Sequence, residues 1–84
     1  MKITYYGHSA LGIEVAGKYI LVDPYISPNP LAGHIDIATL EADFILLTHA
    51  HGDHIADVEV IAKRTNATIV ANFEIATYYG NKGF

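Results

Sequence analysis

Residues 48 to 55 read THAHGDHI and carry four side chains that commonly bind metals. These side chains are His49, His51, Asp53 and His54. His49 and His51 are two positions apart, so in an extended chain they point the same way and can share one ion. Gly52 allows a sharp turn, after which Asp53 and His54 can face a second ion. Imidazole with carboxylate suits zinc, manganese or iron.

Two common kinds of zinc site are excluded by the same sequence. The chain has no cysteine, which rules out a zinc finger. The helix of an HExxH metalloprotease is also excluded, because no glutamate lies between the histidines. Three histidines and one aspartate within six positions are too dense for an ordinary solvated loop. The stretch therefore predicts a metal site of another kind.

The flanking sequence predicts three strands followed by the order strand, helix, strand, helix. The predicted strands are Lys2 to Tyr6, Ser9 to Val15, Tyr19 to Val22, Phe44 to Leu47 and Ala67 to Ala71. The predicted helical segments are a short turn at Asp36 to Glu41, a helix from His54 to Thr65, and a helix capped by Asn72 that runs through Tyr79. Gly80 is expected to end that last helix. The metal motif then lies between a strand and a helix, where α/β sheets place their ligands.

Two of these segments carry more detailed expectations. Phe44 to Leu47 is a continuous apolar run, which is typical of a strand buried on both faces. The helix from His54 to Thr65 has one apolar stripe, formed by Ile55, Val58, Ile61 and Ala62. The charged residues Asp57, Glu59, Lys63 and Arg64 are expected to face away from the sheet. Glu59 and Lys63 have the spacing of a favourable ion pair.

The composition indicates that the chain needs a covering partner. Of its 84 residues, 51% are hydrophobic and 17% are charged, and about 25% charged is typical of globular proteins. A chain this short buries only about two-thirds of its unfolded surface, so it should need a more polar exterior. We therefore expect residues 1–84 to be part of a single larger domain.

Charge and targeting signals narrow the expected partners. The net charge is −4 and no cluster of lysine or arginine is present, which excludes nucleic acid and anionic membrane surfaces as partners. The first residues do not form a signal peptide, and no stretch approaches the length of a transmembrane helix. The expected compartment is the cytoplasm.

The motif HAHGDH resembles the HxHxDH signature of the metallo-β-lactamase superfamily. The stretches GHSALGIEV, YILVDPYIS and ADFILLTHAHGDH are together similar to the ascorbate-6-phosphate-lactonase-like metal-dependent hydrolases. This resemblance covers nearly the whole chain. It implies an α/β fold, in which the chain forms the N-terminal half of an αββα sandwich.

The resemblance also implies roles for individual residues. His49 and His51 would bind a first metal ion, and Asp53 and His54 a second. Asp53 would also help to orient the attacking hydroxide, as the catalytic residue. Asp23 would support the metal loop from behind the ligands, since a ligating imidazole needs a hydrogen-bond partner. His8 would lie close to the site, in the pocket or behind the ligands.

Members of this family are more than twice as long, and they supply two further histidines and a bridging aspartate downstream of the position of Phe84. The resemblance thus implies a hydrolase with two divalent ions, zinc first and manganese or iron as alternatives. Its small-molecule substrate would be an ester, lactone, amide or phosphodiester. Activity would require the C-terminal half, possibly as a separate chain, and the chain alone should form oligomers. The alternative is a non-catalytic metal-binding fragment, or a structural module that pairs with a complementary chain.

Overall fold

A computed structural model describes residues 1–84 and contains one five-stranded sheet. The strands are β1 (Lys2–Gly7), β2 (Ala10–Val15), β3 (Lys18–Val22), β4 (Phe44–Leu46) and β5 (Thr68–Val70), in that order across the sheet. The first three strands pair antiparallel, and β3, β4 and β5 pair parallel. The predicted strand at Phe44 is therefore confirmed, and as β4 it lies inside the sheet, between β3 and β5.

Helical segments connect the parallel strands or follow the last of them, and they cover one side of the sheet. They are two 3₁₀ turns at Pro30–Ala32 and Ile37–Thr39, and the helices α1 (Gly52–Ile55), α2 (Val58–Thr65) and α3 (Phe73–Asn81). The Asn72 side chain accepts a hydrogen bond from the Ile75 N–H and caps α3, as predicted. The predicted end at Gly80 is wrong, because α3 continues to Asn81. None of these helices combines the length and hydropathy needed to cross a bilayer.

The single helix predicted from His54 to Thr65 is instead two helices, α1 and α2, with a break at Ala56 and Asp57. At the break, the Asp57 N–H donates to the carbonyl oxygen of Pro24 at 3.0 Å. The expectation that Asp57 faces solvent is also wrong, because this residue is buried. Glu59 pairs with Lys82 at 2.8 Å, rather than with Lys63. Contacts with residues distant in sequence thus override the local helical pattern.

The covered face of the sheet packs against the helices and forms the main core. Leu21, Ile45 and Ile69 are aligned across neighbouring strands on this face. The helices contribute Val58, Ile61, Ala62, Ile75 and Tyr79, all buried. The apolar stripe predicted for the second helical segment is confirmed, with Ile55 packed at its edge.

The open face of the sheet carries apolar side chains with no layer above them. Its members are Ile3, Tyr5, Leu11, Ile13, Val15, Ile20, Val22, Phe44, Leu46 and Val70, placed on one face by the strand registers. Six of these ten are more than a third exposed. The prediction that β4 is buried on both faces is therefore wrong for this chain: Ile45 is fully buried, whereas Phe44 and Leu46 are 38% and 37% exposed.

Candidate metal centre

The metal motif begins where β4 ends, and backbone contacts hold its first residues in place. The Leu47 N–H donates to the carbonyl of Val70 at 3.0 Å, which extends the pairing with β5 by one bond. The Thr48 N–H donates to Oδ1 of Asp23 at 2.8 Å. At the other end, the His54 N–H donates to the carbonyl of His51 at 2.9 Å and starts α1. The loop is thus fixed from the strand side and the helix side.

Asp23 lies behind this loop and is 1% exposed. Its Oδ2 accepts a hydrogen bond from Thr48 Oγ1 at 2.6 Å, in addition to the backbone bond at Oδ1. Burial by itself raises the pKa of Asp23, but the two Thr48 hydrogen bonds and the neighbouring His54 outweigh it, so the pKa lies below its ordinary value. Asp23 is therefore a buried carboxylate that stays charged, as its predicted supporting position requires.

His54 is the most buried of the motif's histidines. Its Nδ1 lies 3.0 Å from Oδ2 of Asp23, an ion-pair distance, but without the alignment of a hydrogen bond. Its Nε2 faces the other way, 3.6 Å from Oδ1 of Asp53. A buried carboxylate behind one nitrogen leaves the other nitrogen as a ligand, which is the usual arrangement behind a metal-bound histidine.

The candidate ligand atoms form two adjacent groups that share Asp53. One group contains His49, His51 and Asp53, and the other contains His8, Asp53 and His54. Within each group all ligand atoms lie within 4.8 Å of one another. The two groups touch, because the ring centroids of His49 and His54 are 3.7 Å apart. The four predicted side chains therefore converge on one place, and the donor set fits divalent transition metals.

Asp53 sits at the solvent side of this cluster, and its side chain is about half exposed. Nε2 of His8 lies 2.9 Å from its Oδ2. The slight desolvation raises the pKa of Asp53, but the hydrogen bond with His8 and the nearby His54 outweigh this and lower it. The carboxylate is thus ionised at neutral pH, as metal binding requires.

His8 lies beside the candidate ligands. The family resemblance implied a residue close to the site, in the pocket or behind the ligands, and the structure places its ring against Asp53, with the ring centroids of His8 and His54 5.4 Å apart. Its position comes from the β1–β2 connection, where the His8 backbone has a φ of +53°. No local sequence signal connects it with Asp53, which is 45 positions away.

Sequence reasoning missed three supporting residues, Thr48, Ser27 and Asp57. The buried Asp57 carboxylate accepts hydrogen bonds from the N–H groups of Ile26 and Ser27 at 2.7 and 2.8 Å, and from Ser27 Oγ at 2.5 Å. These bonds tie the prolyl loop, residues 24–34, to the break between α1 and α2. Asp57 is the N-cap residue of α2, but its side chain makes no capping hydrogen bond, and no local sequence signal connects it with the prolyl loop.

Comparison with known proteins decides the family. A family model described as the beta-lactamase superfamily domain matches residues 2–82. The chain belongs to the beta-lactamase superfamily. With the mixed sheet and its helical layer, this match confirms the predicted fold class, an α/β portion of the metallo-β-lactamase fold.

Relatives of this superfamily member are named as hydrolases. A UPF0173 metal-dependent hydrolase of Flavobacterium johnsoniae is 68% identical over 84 residues, and one of Exiguobacterium sp. is 56% identical over 84 residues. In both cases the match spans 100% of this chain and 37% of the relative. The chain thus spans little more than a third of the length of these relatives.

A solved structure shows the same arrangement. Igni18, described as a metallo hydrolase from the archaeon Ignicoccus hospitalis, superimposes with a TM-score of 0.87 at 39% sequence identity. The superposition covers 98% of this chain and 36% of Igni18. Nearly all of the observed fold therefore recurs in one part of that larger protein.

Proposed function

We propose that this chain carries the HxHxDH part of the active site of a metal-dependent hydrolase, which acts on a small molecule when the rest of the fold is supplied. The observation that carries the proposal is the convergence of His49, His51, Asp53 and His54 at the carboxyl end of β4. The names of the relatives and of Igni18 support the reaction class.

In this proposal the chain holds two divalent ions, zinc first, with manganese or iron as alternatives. His49 and His51 hold the first ion, and His54 holds the second. Asp53 belongs to both groups of ligand atoms and so contributes to either ion. When bound, such ions supply Lewis acidity, which polarises a carbonyl or phosphoryl oxygen and makes water a stronger acid.

The side chains of the protein then have distinct tasks. Asp53 is ionised and faces solvent, so it can accept a hydrogen bond from the attacking water and orient it. Asp23 fixes the ring of His54 from behind, with Thr48 holding the carboxylate in place. The prolyl loop lies beside His8 through Tyr25, whose ring centroid is 5.6 Å away, and forms a candidate rim of the substrate site. Esters, lactones, amides and phosphodiesters all suit this chemistry.

Activity and metal content of matched variants test the proposal. In a protein that includes the remainder of the fold, His51→Ala should remove the first ion and abolish hydrolysis across a panel of ester, lactone, amide and phosphodiester substrates. Asp53→Asn should lower kcat more than it raises KM. His34→Ala is the matched control, because His34 is an exposed histidine of the prolyl loop away from the ligand groups. Full metal content and rate in His51→Ala would contradict the proposal.

The open face supports a further part of the proposal, a covering layer of protein. Ten apolar side chains on one sheet face give the surface that a second sheet would need, at about 10 Å separation. We propose that the C-terminal half of the same fold covers it, in one polypeptide or as a separate chain, and that the isolated chain associates with itself there. Sedimentation of the isolated chain tests this. A monodisperse 9.1 kDa monomer with cooperative unfolding would contradict it.

The rival hypothesis is a non-catalytic fragment that binds metal, or a structural module. The two candidate groups of ligands already lie within this chain, so metal binding alone cannot separate the hypotheses. Hydrolysis measured with and without the remaining half of the fold separates the two hypotheses. Turnover only when both parts are present supports the hydrolase, and metal binding without turnover in either state supports the rival.

A further inference from the structure

We propose that His8 is a direct ligand of the second metal ion, beside Asp53 and His54, and not a residue that only supports the ligands. This inference rests on the proposed function and adds one ligand to it. His8 comes from the β1–β2 connection, far in sequence from the HxHxDH motif. With His8, the second position has three ligands from this chain alone.

Distances among the three side chains carry the inference. Two donor atoms on one ion, each about 2.0–2.2 Å from it, are about 2.8–3.6 Å apart at octahedral or tetrahedral angles. Nε2 of His8 is 2.9 Å from Oδ2 of Asp53, and Nε2 of His54 is 3.6 Å from Oδ1 of the same carboxylate. Both separations lie within the required range. All three ligand atoms lie within 4.8 Å of one another, so small ring rotations suffice.

The backbone around His8 points to the same conclusion. Gly7 and His8 have φ values of +107° and +53°, a left-handed pair at the point where the β1–β2 register shifts. A non-glycine residue in this region is uncommon, and such conformations concentrate at functional sites. The Tyr5 hydroxyl donates to the carbonyl of His8 at 2.7 Å, and the edge of the ring contacts Tyr25. Tyr5 thus fixes the backbone of His8, and Tyr25 packs against its ring.

The chemistry of His8, Asp53 and His54 together also favours a role for His8 as a ligand. Two imidazoles and one carboxylate are the protein ligands of several catalytic zinc sites and of the facial triad of non-haem iron enzymes. Such a site leaves positions free for water and substrate. The His8 side chain is 43% exposed and that of His54 is 9% exposed, so the free positions would face the solvent side of the cluster.

Cobalt(II) provides a test that does not depend on activity. The chain is freed of metal and loaded with Co²⁺, and the proton NMR spectrum is searched for strongly shifted imidazole N–H signals that disappear in D₂O. Each histidine bound to cobalt contributes one such signal. The chain is expected to lose one signal in His8→Gln, with at least a tenfold weaker affinity for the second ion. His34→Gln, a substitution of the same type outside the cluster, should keep every signal and both affinities.

Two other outcomes of the cobalt experiment separate failure of this inference from failure of the proposed metal centre. If His8→Gln keeps every shifted imidazole signal, His8 is not a ligand and this inference is overturned, even when the affinity falls through the lost contact with Asp53. If the unsubstituted chain shows no shifted imidazole signals, the proposed metal centre itself fails. Circular dichroism of His8→Gln confirms that the sheet and helices are retained, which is expected because the His8 side chain lies at the surface.

Discussion

The two halves of the candidate metal centre differ in how the fold supports them. The buried half, His54 with Asp23, lies against the protein interior, and its carboxylate is fixed by two hydrogen bonds from Thr48. The exposed half, exposed His51 with half-buried His49, has one side-chain hydrogen bond, 3.1 Å between His49 Nδ1 and Thr48 Oγ1, and the His49 ring also packs on the His54 ring. The buried half is therefore preorganised by folding, whereas the exposed half needs the ion itself to order its rings.

This difference implies that substitutions in the two halves act on different quantities. A change in the buried half should reduce the stability of the metal-free chain, because it leaves buried polar groups without partners. A change in the exposed half should leave the metal-free chain nearly unaffected and should act on metal affinity alone. The following predictions test this separation, from the largest expected effect on stability to the smallest.

Asp23→Ala should have the largest effect. The substitution leaves the Thr48 N–H and hydroxyl without their acceptor and leaves Nδ1 of His54 buried without a charge beside it. We expect a loss of about 3 kcal/mol in the apparent free energy of unfolding, measured by urea denaturation of the metal-free chain at one fixed concentration, because the proposed self-association makes stability concentration-dependent. Asp36→Ala, at an exposed aspartate that caps a 3₁₀ turn, should cost about 1 kcal/mol or less. Equal losses in the two variants would mean that the buried half of the centre contributes no more to stability than an exposed capping aspartate.

Acid should have the second-largest effect on stability, through protonation of Asp23 in the buried half. The pKa of Asp23 is lower in the folded chain than in the unfolded chain, so its contribution to stability is fully present above its unfolded pKa, about 3.9. That contribution is lost as the pH falls through the lower, folded-state value. Urea denaturation of the metal-free chain from pH 6 down to pH 2 should show this loss, and Asp23→Asn should show a shallower decline below pH 4. Parallel profiles of stability against pH in the unsubstituted chain and in Asp23→Asn would contradict the assignment of Asp23 as a stabilising buried carboxylate.

Thr48→Val should have a moderate effect on stability. Valine keeps the backbone N–H that donates to Oδ1 of Asp23 and removes only the hydroxyl that donates to Oδ2. The expected loss is about 1 kcal/mol in the free energy of unfolding. Thr39→Val is a useful comparison, because its hydroxyl bonds to the carbonyl of Asp36 at an exposed position. A larger loss at Thr39 would mean that burial of Asp23 does not set the energy of this contact.

His51→Ala should change stability least. The residue is exposed and its side chain makes no capping hydrogen bond, so the free energy of unfolding of the metal-free chain should change by no more than about 0.5 kcal/mol. Zinc affinity at the first position should nevertheless fall by at least tenfold in calorimetric titration. A substantial loss of metal-free stability in His51→Ala would show that the exposed half is also built into the fold.

Local patterns in the sequence were sufficient for most elements and for the centre of the site. The apolar run at Phe44 and the dense histidines after it predict the strand, the turn and the candidate ligands, because these features depend on neighbours in the chain. The stripe through Val58 and Ile61 likewise predicts which side of α2 is buried. The shortage of charged residues predicted that the chain needs a covering partner, but it did not show which residues form the open face.

Contacts between distant segments could not be predicted in this way. The break before α2 depends on contacts of Asp57 with Pro24 and Ser27, about 30 positions away. The spacing of apolar residues along the sequence carries no information about such contacts. The approach of His8 to Asp53 depends on how the β1–β2 connection turns over the end of the sheet. Polar contacts of this kind are set by the tertiary fold, which the pattern of apolar residues determines only coarsely.

Counting metal ions on the chain tests the central claim most directly, since both candidate positions lie within residues 1–84. Native mass spectrometry of the metal-free chain during titration with zinc should show two ions bound per chain. The double variant His49→Ala/His51→Ala should bind one ion, and the variant that also carries Asp53→Ala and His54→Ala should bind none. Zinc binding that is unchanged in this fourfold variant, or no bound zinc in the unsubstituted chain, would contradict the assignment of residues 48 to 55 as a metal centre.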